Sequence, residues 1–499
     1  MNANLNSIRA KLEIRPGRLF IGGQWLDWDG ARFDQINPND NQTIGTFAEA
    51  GQRGVDLAVA AARHAFDDGP WPTLPAQDRK RILQPIIERI YELEAELATL
   101  QTLDNGMPYS FSRHSRASGK SCADILDHHA GWCDKITGET FPRHSSSSNL
   151  QYLTYRDPVG VVGAILAWNV PLNMFAIKVG PALASGCTVV LKPSEYTNLA
   201  VTRLVEIFAE SDLPPGVVNF VTGGAETGAA LAGHPGVDKV TFTGSAAVGE
   251  RIVSVSGANM KRLSLELGGK SAGIVFPEAR SVASAATTMM GLCSTFLSGQ
   301  VCTTPSRALV HRSIFDEFVH HASEQVKQVR FGDPFDPATT SAPIISRAQV
   351  ERIRNLIDSG IEQGARLAFG GEERDDIPGG GNWIAPALFL GVDPGMRIAR
   401  EEFFGPVLCA IPFDSEEEAI RLANDSEYGL AGCIFTTDIA QGMRVARSVR
   451  TGAIGINGYA SVANAPMGGV KRSGLGREGG WASIEAFTEI KTVAINLDG

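Results

Sequence analysis

The apolar stretch VGVVGAILAW, residues 159–168, is followed after a helical interval by TVVLKP at residues 188–193. Two further apolar runs, VVNFV at 217–221 and DKVTFTG at 238–244, come after similar intervals. Short buried strands separated by helices are typical of βαβ units. This part of the chain therefore predicts a doubly wound parallel sheet.

A second α/β series follows on the C-terminal side, from about Lys270 to Ile456. Its strands are predicted at SAGIVF, SRALVH, ALFLGV and LAGCIFT. On the N-terminal side, the spacing of apolar residues predicts one long helix over residues 79–103, ended by Gly106 and Pro108.

Two outlying segments, residues 150–155 and EIKTVAIN at 489–496, alternate as strands with one wet face do. The polar run at 143–149 predicts an exposed crossing before the first of them. The predicted fold class is α/β, with two α/β domains and a small β extension. Because exposed strand edges are usually paired, we expect these strands to pair across subunits in an oligomer.

Composition excludes several classes of protein. The chain has 499 residues, of which 43% are hydrophobic and 20% charged, as in an ordinary soluble protein that is large enough for more than one domain. Its net charge of −10 argues against nucleic-acid binding. The first twenty residues lack the apolar region of a secretory signal, and no stretch is apolar enough to span a membrane. Seven scattered cysteines without a CxxC pair indicate neither disulfides nor zinc, and favour a cytoplasmic location.

Candidate site residues follow the first two quoted strands. Trp168 and Asn169 end the first, and side chains at the carboxyl ends of parallel strands line sites in such sheets. Taken alone, Asn169 before a proline is more simply a turn residue. Lys192 and Glu195 follow the second strand, where a carboxylate can hold an adenosine ribose and repel a 2′-phosphate, which favours NAD over NADP. Taken alone, they could equally be a solvated charge pair.

Gly244 and Ser245 lie where the fourth quoted strand turns into a helix, a position that suits a pyrophosphate. The chain also contains a GxGxxG match at Gly474, Gly476 and Gly479. No apolar strand precedes it, so it predicts a tightly packed loop and not a nucleotide fingerprint.

Glu266 in LELGGK and Cys302 in SGQVC carry the remaining chemistry. A lone cysteine is more often a small buried hydrophobe than a nucleophile, and a lone glutamate is usually solvated. Their meaning depends on the motifs around them.

Together these motifs resemble those of the aldehyde dehydrogenase superfamily over nearly the whole chain. The shared motifs, in family order, are WNVP, KPSE, FTGS, ELGGK, GQVC, EEFFGPV, NDSEYGL and PMGGVKRSG. The resemblance implies a Rossmann-like NAD-binding domain at 1–138 and 158–267, a catalytic domain at 268–480, and an oligomerisation extension at 139–157 and 481–499. It also implies a homodimer or homotetramer with a small-molecule aldehyde as substrate and no nucleic acid, membrane or metal partner.

The resemblance implies a role for each catalytic residue. Cys302 would attack the aldehyde to give a thiohemiacetal, whose oxyanion the Asn169 amide and the Cys302 N–H would stabilise. Hydride transfer to NAD would leave an acyl-enzyme, and Glu266 would activate the water that hydrolyses it. A glutamate at that position favours the hydrolytic type over the type that transfers the acyl group to coenzyme A. Since only a thiolate is nucleophilic, we expect the site to lower the pKa of Cys302.

Further residues match the family's cofactor and substrate positions. Those implied to bind the cofactor are Trp168, Lys192, Glu195, Gly244, Ser245, Gln349, Glu402 and Phe404. Those implied to line the substrate tunnel are Val170, Met174, Ile177, Phe296 and Met467. The tunnel set is apolar and lacks an arginine to bind a carboxylate, which favours a hydrophobic or aromatic aldehyde. The chain departs from the family before GQVC, where FLS stands at 296–298 and the family often has Asn, and also at Met467 and Pro305, all beside the substrate.

Three alternatives remain open from sequence. A non-catalytic relative would have no reason to keep Asn169, Glu266, Cys302 and Glu402 together. Acyl transfer to coenzyme A would be separated by product analysis. A metal enzyme is the weakest alternative, because the adjacent pairs at 128–129 and 320–321 place two histidines on different faces of a helix.

Overall fold

The computed structural model describes residues 5–9, 17–145, 149–458 and 462–497. Its strands are β1 (Leu19–Ile21), β2 (Gln24–Leu26), β3 (Arg32–Ile36), β4 (Thr43–Ala48), β5 (Thr140–Phe141), β6 (Leu150–Pro158), β7 (Val161–Ile165), β8 (Thr188–Lys192), β9 (Val218–Phe220), β10 (Lys239–Thr243), β11 (Arg262–Glu266), β12 (Ala272–Val275), β13 (Arg307–His311), β14 (Arg366–Phe369), β15 (Ala387–Leu390), β16 (Val407–Phe413), β17 (Gly432–Phe435), β18 (Gly455–Ile456), β19 (Gly474–Leu475) and β20 (Thr488–Asn496).

Its α-helices are α1 (Leu5–Arg9), α2 (Gly51–Asp67), α3 (Ala76–Glu92), α4 (Glu94–Asn105), α5 (Tyr109–His114), α6 (Gly119–Ala130), α7 (Pro171–Ser185), α8 (Leu199–Ala209), α9 (Ala225–Gly233), α10 (Ala246–Ser256), α11 (Val282–Ser294), α12 (Phe315–Val326), α13 (Arg347–Glu362), α14 (Arg397–Arg400), α15 (Glu416–Asn424), α16 (Ile439–Ser448) and α17 (Gly480–Ala486). No helix in the described ranges is both long and apolar enough to cross a lipid bilayer. The predicted serine-containing crossing lies partly outside the described residues, at 146–148, as do the outermost parts of the predicted terminal domains.

The first large sheet has the strand order β19-β11-β10-β7-β8-β9-β1-β2. Its central strands β11, β10, β7, β8 and β9 run parallel, and β1, β2 and β19 are antiparallel additions at the two edges. Every residue of β7, β8 and β10 is buried, as expected for parallel strands covered by helices on both faces. The four strands predicted in the opening series are therefore confirmed.

The second large sheet has the order β14-β15-β16-β13-β12-β17-β18. All of its pairs are parallel except β14 with β15. The four strands predicted here are confirmed as β12, β13, β15 and β17. Strand β16 was not predicted, although all but one of its residues are buried.

The long helix predicted over residues 79–103 is wrong as a single element. The structure has α3 and α4, separated at Leu93, whose backbone leaves the helical region with φ −95° and ψ 12°. Glu94 and Glu96 stand in the first turn of α4, where negative side chains stabilise the N-terminal end of a helix. The predicted end is confirmed, since Gly106 caps α4 with a φ of +76°.

The two outlying strands pair with each other within the chain. β6 and β20 are antiparallel from the Thr488–Pro158 pair to the Asn496–Leu150 pair, and β5 covers the other edge of β6. The two strands therefore pair with each other inside one chain, and their pairing across subunits stays a prediction. Strand β20 also carries the exposed apolar side chains Ile490 and Ile495.

The glycine-rich run near the C-terminus brings a loop against the first sheet. β19 pairs with β11, and a Cβ on Gly474 would lie 1.9 Å from the Leu265 carbonyl oxygen. Gly474, Gly476 and Gly479 have φ values of +144°, +82° and +78°, a region that favours glycine. The prediction of a tightly packed loop is confirmed, and the loop lies beside the last residue of β11, Glu266.

Candidate active site

A cleft opens where the carboxyl ends of β7, β10 and β11 face segments that precede β13 and β16. Ten of the predicted site residues line it: Trp168, Asn169, Met174, Gly244, Ser245, Glu266, Cys302, Gln349, Glu402 and Phe404. Ala167, Thr243, Leu267, Gly268 and Arg352 complete the lining. The cleft thus brings together residues that are more than 200 positions apart in the chain.

Asn169 is buried, and a hydrogen-bond network fixes its position. Its Nδ2 donates to the Gln300 carbonyl oxygen at 3.2 Å, and its own carbonyl oxygen accepts from Asn105 Nδ2 at 2.8 Å. The Gln300 side chain is held in turn by the carbonyl oxygens of Leu297 and Pro343. Since an asparagine amide has two N–H bonds, one remains for a ligand in the cleft.

Cys302 is the cysteine that the cleft exposes. All seven cysteines are free, and the other six are buried. The preceding segment is unusual, because Phe296, Ser298 and Gly299 all have positive φ. Burial, together with the nearby carboxylates of Glu402 and Glu266, raises the pKa of the Cys302 thiol to about 12. The expectation of a lowered pKa is therefore wrong, since two acidic groups face the sulfur.

Glu266 lies at the carboxyl end of β11 with both carboxylate oxygens buried. Neither oxygen has a hydrogen-bond partner among the described residues. Burial raises the pKa of Glu266 well above its usual value, the Glu478 carboxylate raises it further, and Lys178 and Arg477 oppose the shift. A buried carboxylate without partners is costly, which makes it a candidate for chemistry and not for structure.

Lys178 and Glu478 form an ion pair next to Glu266 that sequence reasoning missed. Lys178 Nζ lies 2.6 Å from Glu478 Oε1 and donates to Thr241 Oγ1 at 3.1 Å. Lys178 is fully buried in α7. A lysine within the apolar run PLNMFAIKVGPALAS was the available signal, because charges are almost never fully buried unless they are paired.

Glu402 occupies the opposite side of the cleft and is firmly held. Its Oε1 accepts a hydrogen bond from the Gly269 N–H at 2.9 Å, and its carbonyl oxygen accepts from Arg352. Gln349 Nε2 donates to the carbonyl oxygens of residues 403 and 404, at 3.0 Å each. Burial raises the pKa of Glu402, while the Gly269 N–H, Arg352 and Lys270 oppose the shift.

The nucleotide-binding prediction rests on the turn from β10 into α10. Ser245 is the N-cap of α10, and its Oγ accepts from the Val248 N–H. Thr243 Oγ1, buried at the end of β10, has no hydrogen-bond partner among the described residues. Free backbone N–H groups at a helix N-terminus and an unpartnered hydroxyl suit a pyrophosphate. This donor set fits a dinucleotide.

Lys192 is the last residue of β8 and Glu195 follows that strand, and neither is among the residues that line the cleft. Lys192 Nζ is buried and donates to the carbonyl oxygen of Pro193. Glu195 Oε2 accepts from Ser194 Oγ at 3.3 Å. The pair therefore lies on the neighbouring strand of the same sheet edge, where an extended dinucleotide would continue.

The predicted tunnel residues do not all lie in the cleft. Met174 lines the cleft. Val170 and Phe296 belong to a separate apolar cluster, in which Phe296 meets Phe111 edge to face with ring centroids 5.5 Å apart. Phe111 was not predicted from the sequence.

Two tunnel predictions lie elsewhere. Ile177 packs against the large core under the first sheet. Met467 pairs through its backbone with Glu478. Neither side chain is among those that line the cleft.

The histidine pairs considered for a metal site have other contacts. His129 is buried between the Ile125 carbonyl oxygen and Ser483 Oγ, and the His128 ring accepts from Trp132 Nε1. Over the described ranges, no group of three or more His, Cys, Asp or Glu side chains is arranged to hold a metal ion.

Comparison with known proteins identifies the family. The model of the aldehyde dehydrogenase family matches residues 25–493. The chain belongs to the aldehyde dehydrogenase family. It is 41% identical to aldehyde dehydrogenase 1 of Tanacetum cinerariifolium, over 98% of this chain and 97% of that protein.

Solved structures of the family share the fold. An NAD-dependent aldehyde dehydrogenase from Sinorhizobium meliloti matches with a TM-score of 0.95 at 36% identity, covering 100% of this chain and 98% of that one. An indole-3-acetaldehyde dehydrogenase in complex with NAD+ matches with a TM-score of 0.94 at 37% identity, covering 99% of both chains. This aldehyde dehydrogenase chain therefore has the family's fold from end to end.

Proposed function

We propose that this chain oxidises an aldehyde to the free carboxylic acid with NAD, through a thiohemiacetal and then an acyl-enzyme on Cys302. The observation that carries the proposal is the single cleft lined by Asn169, Glu266, Cys302 and Glu402. It combines a half-buried thiol that reaches the cleft, an amide donor, an unpartnered carboxylate and a fixed carboxylate, which are the groups that the two half-reactions need.

In the first half-reaction, Cys302 Sγ bonds to the aldehyde carbon and the carbonyl oxygen becomes an oxyanion. The free N–H of the Asn169 amide and the Cys302 backbone N–H stabilise that charge. Such donors contribute most when they are already in place, and the Gln300 and Asn105 contacts hold Asn169 there. Because burial keeps the thiol protonated, its proton passes to solvent water in the cleft as the carbon–sulfur bond forms.

In the second half-reaction, Glu266 takes a proton from the water that attacks the thioester. The carboxylate has no hydrogen bond to break before it accepts that proton. Its raised pKa makes it a stronger base than an ordinary glutamate. The Lys178–Glu478 pair next to it acts on this pKa, which Glu478 raises and Lys178 lowers.

NAD, when bound, accepts the hydride that leaves the thiohemiacetal carbon. Ser245 and the N-terminus of α10 would hold its pyrophosphate, and Glu402 its nicotinamide ribose. Lys192 and Glu195 would hold the adenosine ribose, and the Glu195 carboxylate disfavours the 2′-phosphate of NADP. Trp168, Gln349 and Phe404 complete the nicotinamide side.

The substrate proposed is a hydrophobic or aromatic aldehyde. Met174 supplies apolar surface in the cleft. The Phe296–Phe111 ring contact supplies aromatic surface in the apolar cluster that also contains Val301, the residue before Cys302. The similarity to an indole-3-acetaldehyde dehydrogenase favours the same class. Val170, Ile177 and Met467 stay in the proposal as positions that shape the tunnel.

The decisive experiment measures NADH formation by the purified protein with aliphatic, terpenoid, aromatic and carboxylated aldehydes. We expect the highest kcat/KM with an aromatic or long apolar aldehyde and the lowest with a semialdehyde acid. Preference for the carboxylated aldehyde would contradict the substrate proposal, and silence with every aldehyde would contradict the reaction.

Product analysis tests the hydrolytic type. With coenzyme A present or absent, we expect the free acid and the same rate of NADH formation. An acyl-coenzyme A product would show that coenzyme A replaces the water that Glu266 activates.

We further propose the domain division predicted from sequence, with β20 and β6 in the oligomerisation extension. The exposed Ile490 and Ile495 on β20 support a homodimer or homotetramer. The seven free thiols fit a reducing cytoplasm. Sedimentation of the purified protein would test the oligomer, and fractionation of the source cells would test the location.

A further inference from the structure

Lys270 is a buried cation that the mechanism above does not use. It follows the ELGG motif, is only 2% exposed, and its Nζ has no hydrogen-bond partner among the described residues. A lysine this deeply buried normally has a polar partner, because an uncompensated charge is costly. Burial lowers its pKa to about 8, so that the ammonium form still predominates at neutral pH.

The Lys270 ammonium is stabilised by an aromatic ring. Nζ lies 4.2 Å from the centroid of the Phe403 ring, within the range of a cation–π interaction. Phe403 is itself 1% exposed, so the contact is fully desolvated. Such contacts are worth more when water is excluded.

The ring that Lys270 contacts belongs to the segment 402–404 on the cofactor side of the cleft. Glu402 and Phe404 line the cleft, and Phe403 stands between them with its ring turned into the protein. Gly269, the residue before Lys270, donates its N–H to the Glu402 carboxylate. Gly269 therefore holds Glu402, and the next residue, Lys270, holds Phe403.

The segment needs this support because its backbone is strained. Phe404 has a φ of +50°, which an aromatic residue rarely adopts. The Lys270 charge also favours the ionised form of Glu402, whose burial acts in the opposite direction. Loss of the Lys270 cation would therefore loosen the 402–404 segment. It would also make Glu402 a weaker hydrogen-bond acceptor for a ribose.

We propose that Lys270 is a positioning residue for the cofactor, which acts through its contact with Phe403 to hold the 402–404 segment ready for the nicotinamide ribose. The proposal rests on the proposed function, since it assumes that NAD binds in this cleft. It separates Lys270 from the chemistry at Cys302.

The test replaces Lys270 with methionine, which keeps an unbranched apolar stem and removes the charge. We expect K270M to raise the Kd for NAD, measured by calorimetry, by about 5- to 30-fold. Hydrolysis of an activated aryl ester without NAD should stay within about twofold of wild type. In that reaction the ester acylates Cys302 directly, the phenolate leaves and water cleaves the thioester, so no cofactor is involved.

Two further variants separate positioning from folding. K270R retains a cation that can lie over a ring and should recover much of the NAD affinity. F403L keeps apolar volume but removes the ring, and should weaken NAD binding about as much as K270M. If the two residues act through one contact, the double variant should bind NAD no more weakly than either single variant.

Lys239 offers a matched control. It is also buried, with Nζ 4.8 Å from the Phe487 ring centroid, but it stands at the start of β10, at the end of the strand away from the cleft. K239M should lower the unfolding temperature without changing the Kd for NAD.

The outcomes are distinguishable. An unchanged NAD affinity in K270M, or equal losses in K270M and K239M, would overturn the role of Lys270. Failure of the wild-type protein to bind NAD would instead contradict the proposed function itself.

Discussion

Two carboxylates line opposite sides of the cleft, and their hydrogen bonding differs. Glu266 ends a strand of the first sheet and has no hydrogen-bond partner for either oxygen among the described residues. Glu402 precedes a strand of the second sheet and accepts the Gly269 N–H at 2.9 Å, with Arg352 bound to its backbone. One carboxylate is left free to accept a proton, and the other is fixed as a ligand.

Glycines make room for both carboxylates. A Cβ on Gly468 would lie 2.6 Å from Glu266 Oε1, and a Cβ on Gly268 would lie 2.2 Å from Glu402 Oε2. Both carboxylates are therefore packed against bare backbone. The roles differ because of the hydrogen bonds offered to each group, since burial raises the pKa of both.

The largest effect is expected when the nucleophile that both carboxylates serve is removed. C302A should lower the rate of NADH formation by at least about 10⁴-fold, because no covalent adduct can form. NAD binding, measured by calorimetry, should be nearly unchanged. Appreciable residual turnover in C302A would rule out the covalent mechanism.

Removal of the free carboxylate should stop the cycle half-way. E266Q should release about one NADH per active site and then turn over roughly 10²- to 10⁴-fold more slowly, since it lacks a base for the second half-reaction. Stopped-flow absorbance at the NADH band, followed into steady state, separates the two phases. Steady turnover at the wild-type rate would remove Glu266 from the role of base.

Removal of the fixed carboxylate should act on cofactor affinity and not on hydrolysis of the thioester. E402Q should raise the KM for NAD by roughly 10- to 100-fold, the usual worth of a hydrogen bond to a charged group. Hydrolysis of an activated ester without NAD should be unaffected. Equal losses of both activities would show that the two carboxylates do not have separate roles.

Sequence predicted most of the fold because buried parallel strands are continuous apolar runs. All residues of β7, β8 and β10 are buried, and each was visible as such a run. The break at Leu93 was invisible, because apolar spacing continues through it and only the backbone turns. The pairing of β6 with β20 links residues more than 300 positions apart, which no local pattern encodes.

The motifs predicted which residues line the cleft, but not the features that depend on contacts in the folded chain. Asn169, Glu266, Cys302 and Glu402 line one cleft as the motif order implied. The raised pKa of Cys302 could not be foreseen, because it depends on burial and on the two carboxylates that face the thiol.

Lys178 and Glu478 were not predicted as site residues, for a similar reason. Lys178 stands out as a charge in an apolar run, but only the folded chain shows that Glu478 is its buried partner at 2.6 Å, next to Glu266. Their charges act on Glu266 in opposite directions. Variants of these two residues therefore test how neighbouring charge affects Glu266, the carboxylate without a hydrogen-bond partner.

The smallest effect expected is a displaced pH profile. Glu266 acts as a base only when ionised, so kcat should rise with pH as the carboxyl loses its proton. The negative charge of Glu478 raises the pKa of Glu266, so E478Q should lower that pKa and move the acidic limb of kcat to lower pH. The positive charge of Lys178 has the opposite effect, so K178M should move the limb to higher pH.

Profiles of kcat from pH 5 to 9 would measure both shifts, which at about one unit or less change the rate at a fixed pH by at most about tenfold. Shifts in the same direction would mean that the variants disturb the burial of Glu266, and an unmoved limb would mean that another group is the base.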